Sequence, residues 1–393
     1  MGLALAAVAL VVVGMPAVGA GVPSPAVPAV PAVPAEVAEA EAPPLVIVGA
    51  PGLAWSDLDR DDLPALQVVR SEGATGSLTV RAVRSRSCAI DGWLTLSSGR
   101  RAADVPGPCR EALPVVDGSV PRWGEYLAAA AADSYDARPG TLGAAVTASG
   151  ACIETVGPGA AIAGADRAGR VTQHHAVDVP SSFSCPVVIV DGGVLPGEPV
   201  ARRAAVERLD AVVGEVLVAG RGADFVVAGV GDGDSPVRPR AVAATGPSFR
   251  GGLLSSGSTR QPGVVQLQDL TATALARVGD GADAVTGRGL TASESGGSAA
   301  ERLGDRVAFE TRAATLRSVS PQVTVWLATA YALWALLVAV RWWRRGRDSA
   351  LPRALVVAGV AVATVPIATF VANLVPWWRA PWPGPVFTGV LAV

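Results

Sequence analysis

Two uncharged apolar runs near the C-terminus, Val323–Val340 (VTVWLATAYALWALLVAV) and Ala354–Leu374 (ALVVAGVAVATVPIATFVANL), constrain this chain more than any other feature. Each is about as long as a helix must be to carry its own backbone hydrogen bonds across a hydrocarbon layer. Segment 341–353 between them holds Arg341, Arg344, Arg345, Arg347 and Arg353. An excess of basic residues marks a cytoplasmic loop, so the residues before Val323 are expected on the opposite side. Trp377, Trp378 and Trp382 fall where an aromatic belt belongs, and VFTGVLAV (386–393) reads as the start of a third span. The expectation is a multi-pass protein of the cell membrane, with the lipid bilayer as its first partner.

The N-terminus agrees with that topology. Residues 1–21 contain LALAAVALVVVGMPAVGA, an apolar run ending in small residues, which reads as a signal peptide or an N-terminal anchor without the usual basic start. Residues 22–44 form a Pro/Ala/Val-rich repeat with an acidic end, a semi-rigid linker by composition. A ligand for a proline-reading module is the other reading of that repeat. At 393 residues and 50% hydrophobic, the chain has room for a full domain besides its membrane segments. Its basic residues are all arginine and gather into no patch, which excludes a nucleic-acid partner.

Cys88, Cys109, Cys152 and Cys185 all lie in the segment expected outside the cytoplasm. An even count in an oxidising compartment favours disulfides. Four cysteines allow three connectivities, and the pairs closing the shorter loops are Cys88 with Cys109 and Cys152 with Cys185. Zinc is the rival reading, weakened because there is no CxxC pair and because His174 and His175 are the only histidines.

Residues 45–320 alternate short β-branched runs with longer helical segments. Leu45–Gly52, Val187–Gly193, Phe225–Gly233 and Ala241–Gly246 are apolar and bounded by glycine, the pattern of strands covered on both faces. Within 201–221, Ala205, Val206, Leu209, Val212, Val213, Val216 and Leu217 recur at spacings of three and four, predicting an amphipathic helix. Segments 64–74, 125–135 and 267–279 are further helix candidates. The alternation predicts an α/β sandwich with a mostly parallel sheet, followed by transmembrane helices. Ligands of such sheets bind beyond the carboxyl ends of the strands, which puts Gly49, Asp191 and Asp232 at the mouth of any site.

The succession LVIVGAPGLAWSDL, GATGSLTVRAVRSRSCAIDGWLTLSSGRRA, FVVAGVGDGDSP and STRQPGVVQLQDLTATALARVG resembles the alkaline phosphatase-like superfamily, which includes sulfatases, phosphopentomutases and phosphoethanolamine transferases. The resemblance implies a three-layer sandwich and, in active members, one or two metal ions at the strand ends. Those ions activate a hydroxyl or modified Cys nucleophile and neutralise the transferred group. This chain departs from the pattern. Gly49 stands where the first metal-binding Asp is expected, and Gly231-Asp232-Gly233 where an Asp-His pair would lie. The nucleophile station offers Ser87 and Asp91, with Cys88 assigned to a disulfide.

Each remaining signal carries two readings. Asp232 and Asp234 in GDGDSP are candidate metal ligands, or parts of a turn in which glycine supplies positive φ. Asp191 either ligates a metal or caps a neighbouring segment, and Asp91 either serves chemistry or caps a helix. Thr259 and Arg260 could hold an anion or be solvated, and His174-His175 is a surface pair by default. The expectation is a bacterial envelope membrane protein whose exported domain is non-catalytic and acts in binding or scaffolding, with other envelope proteins or anionic envelope components as partners. No cofactor belongs to that reading. The alternatives are a zinc- or manganese-dependent hydrolase or transferase acting on envelope lipids or polymers, and a transporter with an accessory domain.

Overall fold

The computed structural model describes residues 42–279, 285–293, 297–346 and 350–392. The N-terminal apolar run and nearly all of the linker lie outside the described residues. In chain order the elements are β1 Leu45–Gly49, α1 Pro64–Glu72, β2 Ala74–Thr79, α2 Ala89–Ser98, α3 Trp123–Ala132, α4 Thr141–Ala148, β3 Ile153–Val156, α5 Pro158–Gly164, β4 Gln173–His175 and β5 Val187–Asp191. They continue with α6 Pro199–Ala219, β6 Asp224–Ala228, β7 Arg240–Thr245, β8 Leu253–Ser256, β9 Val264–Gln266, α7 Leu267–Ala276 and β10 Leu290–Ser293. Three helices close the chain: α8 Ala299–Arg345, α9 Arg353–Ala372 and α10 Pro383–Ala392.

The strands make one mixed sheet in the order β10-β8-β2-β7-β6-β1-β5-β3-β4, with β9 also paired to β2. Its centre is parallel: β1 runs alongside β5 on one side and β6 on the other. Side chains alternate between two cores. Ile47, Ile189 and Val226 pack under α2, α5 and α7, whereas Val48, Val190 and Val227 pack under α1 and α6. This is the three-layer α/β sandwich with a mostly parallel sheet that the sequence predicts. The helix expected within 201–221 is α6, and its Leu209, Val213 and Val216 form the buried stripe.

Among the strands expected from the sequence one departs from the parallel run, and β10 at the sheet edge is also antiparallel, to β8. Strand β7 is antiparallel to both β6 and β2. The connection from β6 contains no helix, and a parallel return needs a crossover of a dozen or more residues, so the chain turns straight back instead.

The disulfides are Cys88–Cys109 and Cys152–Cys185, and among the described residues no cysteine is free. Cys88 is the N-cap of α2, so its bridge ties the start of that helix to the following loop.

Helices α8 and α9 are long and apolar enough to cross a membrane, and their apolar windows are only 6% buried within the protein. Trp326, Leu336, Leu337, Val357, Ile367 and Phe370 are exposed, an uncovered apolar surface that suits lipid rather than water. The two helices are tied by Trp334 Nε1 donating to the Leu355 carbonyl at 2.9 Å and Tyr331 Oη donating to the Val362 carbonyl at 3.1 Å. The segment read as a third span's start is in α10, which packs with Trp377 and Trp378 at the end of α9.

Helix α8 is longer than the span expected from Val323. It begins at Ala299 with a capping box in which Ser298 and Glu301 exchange hydrogen bonds. Its first half lies on the domain, where Leu303 joins the core beneath α1. One continuous helix therefore runs from the domain into the membrane-length segment. The Ser-x-x-Glu signature at its start was present in the sequence; the many charges of 299–320 disguised it.

Candidate functional site

The carboxyl ends of the parallel strands bring Gly49 of β1 directly beside Asp191 of β5, as the sheet pattern requires. What surrounds them was not legible from spacing. The indole of Trp93, projecting from α2, fills the space in front of Gly49: a Cβ added there would lie 2.3 Å from the ring. Glycine at position 49 therefore makes room for tryptophan. Gly49→Ala is expected to cost about 1–3 kcal/mol by overpacking this contact, read as a lower unfolding midpoint of the full chain.

Asp191 is half-buried, and both of its oxygens are engaged. Oδ2 accepts the Gly159 N–H at 2.8 Å, near the start of α5, and Oδ1 accepts the Gly193 N–H at 3.0 Å. Desolvation pushes this carboxyl above the usual range, against the two N–H groups that favour its charged form. Asp191 caps and braces the loops on either side of it.

Asp232 is the decisive residue of GDGDSP. The expected turn is there: the Ser235 N–H donates to the Asp232 carbonyl, and Gly233 sits at φ 55°. The Asp232 side chain does more than shape it. Oδ1 accepts two hydrogen bonds from the Arg240 guanidinium, at 3.1 and 2.7 Å, and Oδ2 accepts the Ser87 N–H at 2.9 Å. Arg240 is fully buried and also donates to the carbonyls of Gly52 and Pro236. Burial pulls its guanidinium below its ordinary range, opposed by the charge of Asp232. The sequence did contain a signal, a charged residue opening the otherwise apolar strand RAVAAT.

A second arginine answers the acidic residue downstream of β1. Arg202, near the start of α6, binds Asp57 through two hydrogen bonds at 2.5 and 2.6 Å, and also donates to Ser235 Oγ at 2.6 Å. Where a phosphoryl-transfer centre concentrates carboxylates and imidazoles around cations, this chain places guanidinium groups already bound to carboxylates. Among the described residues no group of three or more His, Cys, Asp or Glu is arranged to hold a metal. The donor set does not fit the ions that the resemblance implies: Asp232 is ion-paired to the buried Arg240, and among the described residues no further His, Cys, Asp or Glu completes a ligand group with it.

The nucleophile station is equally committed. Ser87 Oγ donates to the Val80 carbonyl at 2.6 Å and accepts the Ala82 N–H at 2.9 Å, holding the turn before α2. Asp91 is the N3 partner in a capping box with Cys88, rather than the N-cap itself. It accepts the Cys88 N–H at 2.9 Å and the Asp104 N–H at 2.8 Å, with Arg84 at 3.5 Å. Burial dominates and lifts its carboxyl to about 6. Because its folded pKa is raised, the stability that Asp91 contributes is full below the ordinary aspartate range and is lost as pH rises through about 6. The expected result is a carboxyl infrared band that titrates near pH 6 and is missing in Asp91→Asn.

The other candidates are dispersed. Asp234 is exposed, with Arg86 at 4.0 Å. Thr259 Oγ1 donates to the Val264 carbonyl at 2.6 Å within its own loop, and Arg260 points to solvent at φ 52°. His174 and His175 lie on edge strand β4, where His175 pairs with the buried Glu154 at 2.8 Å.

Beside Asp232 lies a cavity of about 250 Å³ between the loop after β2, the turn before β7 and helix α8, lined in part by Arg81, Arg238 and Arg317. No sequence pattern marked it, because its walls come from three distant segments.

No family model matches the chain, and no curated protein matches it. Among solved structures it is similar to a protein in the alkaline phosphatase superfamily from Vibrio parahaemolyticus, at 11% identity over 61% of this chain and 67% of that one, with a TM-score of 0.36. It is also similar to a 2-O GAG sulfatase, at 13% identity over 68% of this chain and 75% of that one, TM-score 0.35. A third is murine ectonucleotide pyrophosphatase/phosphodiesterase 5, at 12% identity over 47% and 56%, TM-score 0.30. At such scores no residue role passes from those proteins to this one.

Proposed function

We propose that this α/β domain, whose element order resembles the alkaline phosphatase-like superfamily, is held at a membrane by α8 and α9 and works there as a binding or scaffolding module without hydrolytic chemistry. The observation that carries the reading is the pairing of Asp232 with the buried Arg240, beside a strand end closed by Trp93. A guanidinium bound directly to the carboxylate supplies the positive charge that a metal would otherwise bring, but it activates no water. Two disulfides in the domain and the arginines of segment 341–353 support an extracytoplasmic placement in a bacterial envelope.

The test uses the full chain purified in detergent. Zinc and manganese are measured by elemental analysis, and phosphatase, phosphodiesterase and sulfatase turnover is assayed with chromogenic esters in the presence of each metal. The expected result is substoichiometric metal and no turnover above background. Stoichiometric metal, with turnover that disappears in Asp232→Asn, overturns the reading and restores the hydrolase or transferase alternative.

A further inference from the structure

We infer that the cavity between α8 and the strand-end loops binds the phosphate-bearing headgroup of an anionic lipid from the adjoining leaflet. This deepens the binding role proposed above and rests on it. The first argument is charge. Arg81 is exposed and makes no ion pair among the described residues, and Arg317 is exposed with one long contact, to the Ser85 carbonyl at 3.4 Å. Arg238 answers Glu310 through Nη1 at 2.6 Å, but its Nε is buried with no hydrogen-bond partner. The one carboxylate lining the cavity, Asp232, is already neutralised by Arg240. Two uncompensated cations, Arg81 and Arg317, therefore converge on one space, with the paired Arg238 beside them.

The second argument is position and size. Arg317 precedes Val323 by six residues on the same helix, about 9 Å at 1.5 Å per residue. The headgroup layer on each side of a hydrocarbon core is roughly 5–7 Å deep, so the arginines stand at its outer edge. At about 250 Å³, the cavity admits a phosphate with its attached alcohol and excludes a whole lipid. Its walls also include Val80, Val237 and Pro239, apolar surface that suits a glycerol backbone better than a bare inorganic ion. Arginine is the side chain best matched to a phosphate, through its planar array of donors.

Native mass spectrometry of the full chain in a non-ionic detergent tests this with phosphatidylglycerol, phosphatidylcholine and inorganic phosphate added separately. The expected result is retention of phosphatidylglycerol over phosphatidylcholine, with the preference reduced about tenfold or more in Arg81→Gln/Arg317→Gln and unchanged in Arg221→Gln. Both replaced arginines are exposed, so the fold does not depend on them, and Arg81→Lys/Arg317→Lys should recover part of the preference. A preference untouched by the double change would assign lipid retention to other basic residues, such as those of 341–353, and overturn the inference. Inorganic phosphate binding as tightly as phosphatidylglycerol overturns the lipid assignment. Release of the headgroup from bound phosphatidylglycerol would uphold the cavity assignment and sink the non-catalytic reading, so the two failures are distinguishable.

Discussion

Replacing Arg240 with methionine is expected to destabilise the domain by about 3–5 kcal/mol, because it leaves the Asp232 carboxylate buried without its counter-charge. The size follows from the surroundings: Arg240 is fully buried and Asp232 nearly so. The companion change decides the interpretation. Arg240→Met/Asp232→Asn removes both charges and keeps an amide oxygen that can accept the Ser87 N–H, so most of the stability should return. Thermal unfolding of the full chain in detergent, followed by near-ultraviolet circular dichroism, reads both. If Arg240→Met is as stable as the native protein, Asp232 is not a buried partner of arginine, and its carboxylate must be counted as free for a metal.

The second large effect is expected at Glu310 of α8. This carboxylate is almost completely buried and joins three segments: it accepts the Trp55 N–H at 2.6 Å, the Ser56 hydroxyl at 3.2 Å and the Arg238 guanidinium at 2.6 Å. Glu310→Ala leaves a buried backbone donor and an arginine unanswered together, a loss of about 3–5 kcal/mol by the same reasoning. Its location adds a sharper readout than overall stability. Hydrogen exchange should accelerate along Ala299–Ser320 while the centre of the sheet, β1 and β5, stays protected. Uniform acceleration over sheet and helix alike would mean that Glu310 supports the fold as a whole and does not specifically dock α8.

The central strands were readable because each is a short apolar run with glycine at its end, and burial on both faces leaves no other composition for them. The two membrane-length helices were readable for the complementary reason: each is an uncharged apolar run of spanning length, and their apolar windows are almost uncovered by the rest of the protein. The direction of β7 was not readable, since strand composition carries no sign of orientation and the deciding quantity is the length of the preceding connection. The site was legible in outline and hidden in content. The strand pattern put Gly49, Asp191 and Asp232 at the mouth of any site; the pairing of Gly49 with Asp191 came from the register of β1 and β5. That Gly49 faces Trp93 could not be seen, because the contact crosses between layers and 44 residues of sequence. Asp232 and Arg240 are eight residues apart, yet their pairing depends on the turn that folds β7 back onto β6. Spacing alone cannot tell a metal-bound aspartate from one bound to a nearby arginine.

The continuity of α8 leaves no loop between the domain and the membrane-length segment, so the two cannot reorient independently without bending the helix. From Ala299 to Val323 it extends about 36 Å at 1.5 Å per residue, and Glu310 clamps it to the domain along the way. Pro321 marks the fulcrum, for it has no N–H to offer the carbonyl of Arg317 one turn back. Arg317 thus sits on the turn where bending costs least, at the joint between the part of α8 that lies on the domain and its membrane-length part.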